Sequence, residues 1–179
     1  MPYVIGTQFN GDVALLDLRS HWDTDFFSGH PLPPTFTPPV QLTVDLDSPG
    51  RTMATLYTVP AFVARKAFVQ LLAEAGADNV DSYPVVIRNE ETGETFDDYL
   101  LLNIIGLIAC ADLGANPGEM LGPDIRVLDA PVLKGAALGD VRIFRLAEDP
   151  LQIIVADGVA ERIRAAGFTD VYLEQLQVT

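Results

Sequence analysis

The chain has 179 residues, 49% of them apolar and 20% charged, and 11 basic against 25 acidic side chains give a formal charge of −14. That profile describes one globular domain, or one domain of two similar halves, and excludes a disordered tail. So acidic a surface repels nucleic acid and anionic lipid and attracts a basic protein, although acidity also serves plain solubility.

The single cysteine, Cys110, excludes an internal disulfide, fits a reducing compartment and reads as a small buried hydrophobe within an apolar run. The N-terminus, Met1-Pro2-Tyr3-Val4, shows no basic region followed by an apolar stretch, so no signal peptide is expected. The most apolar segment, Tyr99 to Ala111, is too short for a bilayer of ~30 Å. A cytoplasmic protein is the expectation.

In chain order, strands are expected over Val13–Leu18 and Val40–Leu46. Between them runs a proline-rich arm or surface loop, about residues 21–39, containing Gly29 and Pro31, Pro33, Pro34, Pro38 and Pro39. Met53–Val59 can form a strand. Phe68, Leu71, Leu72 and Ala75 have helical spacing within Val63–Ala75, and Gly76 suits the left-handed position that ends the helix. Ser82–Arg88 reads as a strand, Asn89–Asp98 as a polar hairpin connection, and Leu100–Ala111 as a central strand or buried helix. Short strands near Ile125–Leu128, Val141–Leu146 and Leu151–Val155 complete the sheet. A last helix carries Val159, Ile163 and Ala166, followed by Gly167 and Val171.

This last stretch repeats the earlier one with one residue of slippage, Val155-Ala156 standing for Val63-Ala64. The expected fold is α+β: a mixed, mostly antiparallel sheet with two main helices, built on a duplicated strand–helix–strand unit in a single domain over 1–179.

Catalytic motifs are scarce. The chain has no phosphate loop, dinucleotide fingerprint, zincin helix or nucleophile elbow, and only two histidines. His21, Asp23, Asp25 and His30 offer mixed ligands that zinc or iron accepts, but their spacing matches no ligand signature and they sit in the arm. A solvated loop anchored by Trp22 and Phe26 explains them better. Asp45 and Asp47 would share a strand face as paired carboxylates, though a strand running into a turn explains them equally. The strongest charge feature is Glu90, Glu91, Glu94, Asp97 and Asp98, five acids in nine residues without a base. It is either a docking surface for a basic protein, with carboxylates imitating phosphate, or a solvated loop tip.

From Phe62-Val63-Ala64 onward the chain resembles immunity-protein family eleven of bacterial polymorphic-toxin systems, formerly a domain of unknown function. The resemblance rests on the order of Ala75-Gly76, Ala77-Asp78-Asn79-Val80, Tyr83-Pro84-Val85, Tyr99-Leu100-Leu101-Leu102-Asn103, Ala109–Asp112, Ile143-Phe144-Arg145-Leu146, Ile153-Ile154-Val155, Gly167 and Val171. Before that only Gly29 and Pro31-Leu32 match. Where members carry a serine at the start of the last helix, this chain has Ala156-Asp157, and Asp157 can cap it. The resemblance implies a non-enzymatic protein without cofactor that occludes a cognate toxin, encoded by a neighbouring gene. It also implies structural roles for Asn103 and Asp112. A basic toxin such as a nuclease would suit the charge. The alternatives are a metal-dependent hydrolase using His21 to His30, or a small-ligand binding module.

Overall fold

In the computed structural model, which describes residues 1–9, 11–123 and 125–179, the strands in chain order are β1 (Tyr3–Thr7), β2 (Leu16–Leu18), β3 (Val40–Val44), β4 (Leu56–Tyr57), β5 (Val63–Arg65), β6 (Val80–Arg88) and β7 (Thr95–Phe96). They continue as β8 (Tyr99–Ile104), β9 (Leu107–Ile108), β10 (Glu119–Met120), β11 (Arg126–Val127), β12 (Ile143–Leu146), β13 (Asp149–Val155) and β14 (Val171–Gln175). The helices are α1 (Lys66–Glu74) and α2 (Asp157–Ala166). One sheet has the order β2-β3-β6-β8-β5-β4, with β7 on β6; the other has the order β14-β1-β13-β12-β9. Most pairings are antiparallel; β3 with β6 and β12 with β9 are parallel. The fold is α+β.

Alternation decides which faces are buried. In the first sheet Phe62, Ala64, Leu102 and Ile104 enter one apolar cluster, while Val63, Tyr99 and Leu101 enter another on the opposite face. In the second sheet Tyr3, Ile5, Ile153 and Val155 enter that same shared cluster, while Ile154 and Phe144 face a third. Both helices drive their apolar stripe into the shared cluster: Phe68 and Leu72 from α1, Val159, Ala160 and Ile163 from α2. Neither helix has a side-chain cap. Their stability therefore comes from that burial, about 1.5–3 kcal/mol for each large side chain.

The two units are copies of one device. In each, a hairpin (β4-β5 or β12-β13) leads into a helix and a returning strand (β6 or β14), and a further strand (β8 or β1) fills the gap between. The equivalences run Leu42 with Leu133, Phe62 with Ile153, Phe68 with Val159, Leu72 with Ile163, Gly76 with Gly167 and Ile87 with Val178, every pair at the same separation. Ala64 matches Val155, so the one-residue slip expected from sequence is absent. Gly76 (φ +83°) and Gly167 (φ +75°) end the two helices in the left-handed conformation that only glycine adopts cheaply. Leu42 pairs with Ile87 in parallel register, and Leu133 bridges Val178 likewise.

The units clasp each other reciprocally. The Asn79 amide donates to the carbonyls of Ile105 (2.8 Å) and of Ile143 in the other unit (2.9 Å). At the equivalent position Asp170 accepts from Thr55 N (2.5 Å) and Oγ1 (2.7 Å), again across units.

Several boundaries differ from expectation. Val63-Ala64 is the strand that opens the repeated unit, buried on both faces, and the helix begins only at Lys66. The apolar run after Tyr99 breaks at Ile105-Gly106, and β9 joins the second sheet instead. The expected strand near Ile125–Leu128 is a two-residue partner of β10 in a separate ribbon, outside both sheets. Asp157 is the first residue of α2 rather than its cap; its carboxylate lies 3.5 Å from the N-terminal ammonium. Asp45 and Asp47 lie beyond β3 in a turn, where Asp45 Oδ1 accepts from Asp47 N at 2.9 Å, so they form no facing pair. Among the described residues no helix is long and apolar enough to cross a membrane.

Two predictions follow from the duplication. Because β1 lies antiparallel beside β14, with Leu176 N bonded to Pro2 O, a permuted chain starting at Gly11 and carrying residues 1–10 after Thr179 on a short glycine-serine linker should fold to the same structure. Urea unfolding should place its stability within about 2 kcal/mol of the parent, whereas deletion of 1–9 should abolish the cooperative transition. Asn79→Ala and Asp170→Ala should each cost about 1–3 kcal/mol in the same assay, since each strands buried partners.

Candidate functional site

The acidic run is presented by the β6–β8 connection. β6 and β8 pair over Val80–Pro84 and Leu100–Ile104, and Tyr99 and Leu101 bury the base of the hairpin in the apolar cluster beneath it. Asn89 organises the tip: its side-chain oxygen accepts from Glu91 N (3.0 Å) and Thr92 N (3.2 Å), and its backbone exchanges bonds with Glu94 and Gly93. Glu90, Glu91, Glu94 and Asp97 are therefore exposed on an ordered turn. Asp98 is half-buried and takes a 2.5 Å ion pair with Arg65, whose guanidinium lies over the Tyr99 ring. Glu91 lies 3.5 Å from Arg51. Glu90, Glu94 and Asp97 have no cationic partner among the described residues. The structure thus splits the run: Asp98 is a structural pair at the base, and the rest form a solvated anionic face.

The proline-rich arm is not loosely solvated. Phe26 is buried, Phe36 meets Tyr83 edge-on at 5.1 Å, and Asn103 Nδ2 donates to His30 O at 2.9 Å. The amide of this asparagine inside an apolar strand thus reaches a backbone carbonyl 73 residues away in sequence. A Cβ on Gly29 would sit 2.7 Å from the Leu107 side chain and 3.0 Å from the Gly106 backbone, so only glycine lets the arm approach the end of β8. Trp22 is no anchor: it is 69% exposed, and Phe26 holds the arm instead.

The arm folds around a cleft of about 290 Å³ lined by His21, Asp23, Asp25, Ser28, Thr35 and Phe36, among others. His30 is not among its walls. Both ring nitrogens of His21 are engaged, Nδ1 with Ser20 Oγ (2.6 Å) and Nε2 with Thr37 O (3.0 Å), while Asp25 Oδ1 accepts from Phe27 N. Among the described residues no group of three or more His, Cys, Asp or Glu side chains is placed to hold a metal ion. The His21 and Asp25 side chains thus serve the arm's own turns.

One buried charge has no counterpart in the sequence reading. Arg145 on β12 is fully buried; its Nη1 donates to Pro150 O (2.7 Å) and its guanidinium lies 4.9 Å from the centre of the Phe27 ring. Burial pulls its pKa down to about 10, against the opposing influence of Asp25. Its only sequence signal is a cation in the apolar run Ile143-Phe144-Arg145-Leu146.

Cys110 is buried in the third cluster, and desolvation together with the nearby Glu148 carboxylate pushes its thiol up to about 11. That is the opposite of an activated nucleophile. A disulfide reagent at pH 8 should meet about a hundredfold less thiolate than on an ordinary cysteine, so reaction should be slow in the folded chain and fast in urea. The chain matches no known protein-family model and no curated protein.

Proposed function

We propose that the protein is a non-enzymatic immunity protein that binds and neutralises a basic toxin by covering its active cleft, in the cytoplasm of the cell that makes both. The observation that carries this reading is the ordered β6–β8 hairpin, which holds exposed carboxylates on a turn organised by Asn89 between two interior strands of the first sheet, in a chain of net charge −14. Fixed anionic groups on a preorganised turn bind a cationic cleft without the ordering cost of a floppy loop. They also draw such a partner in by long-range attraction. The middle third of the chain, residues 61–120, carries ten acids against three bases and so holds half of the net charge of −14.

Co-expression with the toxin domain encoded immediately upstream should rescue growth, and the two proteins should co-elute on size-exclusion chromatography. A toxin shown to be active, without rescue or complex, would defeat the proposal. Combining Glu90→Gln, Glu91→Gln, Glu94→Gln and Asp97→Asn, with Asp98 kept for Arg65, should slow association about tenfold at low salt and flatten its salt dependence. Unchanged association kinetics would move the interface elsewhere on the surface.

A further inference from the structure

The last strand of the chain ends the second sheet, and its hydrogen-bonding pattern shows which groups are unused. Gln8 N bonds Asp170 O and Leu176 N bonds Pro2 O, so in the antiparallel ladder with β1 the even-numbered residues 170, 172, 174 and 176 point their backbone groups inward. Val171, Leu173 and Gln175 therefore point theirs outward. Farther along the same edge the outward groups are already used: Gln177 O accepts from Leu133 N, and Thr179 N donates to Leu133 O. That short parallel addition stops at Pro131, upstream of Leu133, leaving the groups of Val171, Leu173 and Gln175 without a backbone partner among the described residues.

The duplicated unit provides an internal control. On β6 the equivalent outward positions are Val80, Ser82 and Pro84; proline offers no N–H, and Phe36 of the arm covers the neighbouring Tyr83. That edge is blunted. The β14 edge has no proline, lysine or bulge, the usual protections of a free strand. The other terminal strands, β2, β4 and β9, are only two or three residues long.

We propose that the Val171–Gln175 edge is a docking site for an extended segment of a partner protein, added as a further strand of the second sheet. The side chains beside it specify the segment. Val171 and Leu173 are half-buried against the shared core, so the incoming strand presents apolar residues on that face. On the other face stand Tyr172 and Glu174, with Asp129 near enough to act on the Tyr172 hydroxyl, so the alternate residues are lysine or arginine. A second copy of the chain is the poorer occupant, because two molecules of charge −14 repel each other. This site is separate from the acidic hairpin and does not rest on the toxin reading.

The test is amide hydrogen exchange by NMR on the labelled full chain with a synthetic eight-residue peptide of alternating lysine and valine. A peptide of the same composition with its lysines and valines in separate blocks is the control. The alternating peptide should slow exchange at Val171, Leu173 and Gln175 and leave Tyr172 and Glu174, already bonded to β1, unchanged. Leu173→Pro removes one outward donor without touching the β1 ladder and should abolish the protection. Glu174→Lys, on the exposed face, should weaken binding about tenfold and serves if the proline variant fails to fold. Equal binding of the block peptide, or protection without the odd-numbered pattern, would overturn the proposal. So would self-association that Leu173→Pro removes, since the edge would then belong to a second copy.

Discussion

Everything in the second half of the molecule depends on β1. The returning strand β14 has no other partner in its sheet, and β13 would lose one of its two neighbours without it. Five residues near the start of the chain thus complete a sheet whose other strands, β9 apart, all come from Ile143 onward. The ladders Tyr3–Thr7 with Val171–Gln175, and Tyr3–Ile5 with Ile153–Val155, join residues 148 to 172 positions apart. Closing so large a loop costs entropy, which the apolar burial around Tyr3 and Ile5 offsets.

The clasps add directional bonds to an apolar contact between the two units. Both helices bury their apolar stripes in one shared cluster to which both sheets contribute. Phe68 of α1 lies edge-on to Phe168, just past the end of α2, with ring centres 5.4 Å apart. Asn79 and Asp170 then fix the angle between the units with directional bonds that apolar contact cannot supply. A surface carried on these packed units is held in place by the core beneath it.

The α+β class, both helices, the two helix-ending glycines and the duplication were legible because each has a local cause: apolar spacing and the left-handed turn. The acidic hairpin was legible as a run, but the split between Asp98 and its neighbours was not, since Arg65 comes to it from a different strand. The break after Ile104 escaped detection because Ile105-Gly106-Leu107-Ile108 is as apolar as the strand it follows. What distinguishes it is the sheet on which β9 lands. Arg145 and the Asn79 and Asp170 clasps were equally invisible, because their meaning depends on partners dozens of residues away. The His21 to His30 segment shows how little nearness in sequence fixes: His21 bonds Ser20 and Thr37, Asp25 accepts from the Phe27 amide, and His30 is not among the walls of the cleft that His21, Asp23 and Asp25 line.

Duplication also shows where the two halves were free to diverge. The common frame, hairpin, helix and returning strand, is constrained by the core and differs little between copies. The connection after the returning strand is not. In the first unit it runs from β6 through Asn89–Asp98 into β8, and it carries the acidic face. In the second, the filling strand is β1, and no hairpin joins it to β14. The packing requirements that fix the common frame do not act on the exposed tip of the first unit's connection, which is where surface chemistry can change without cost to the fold.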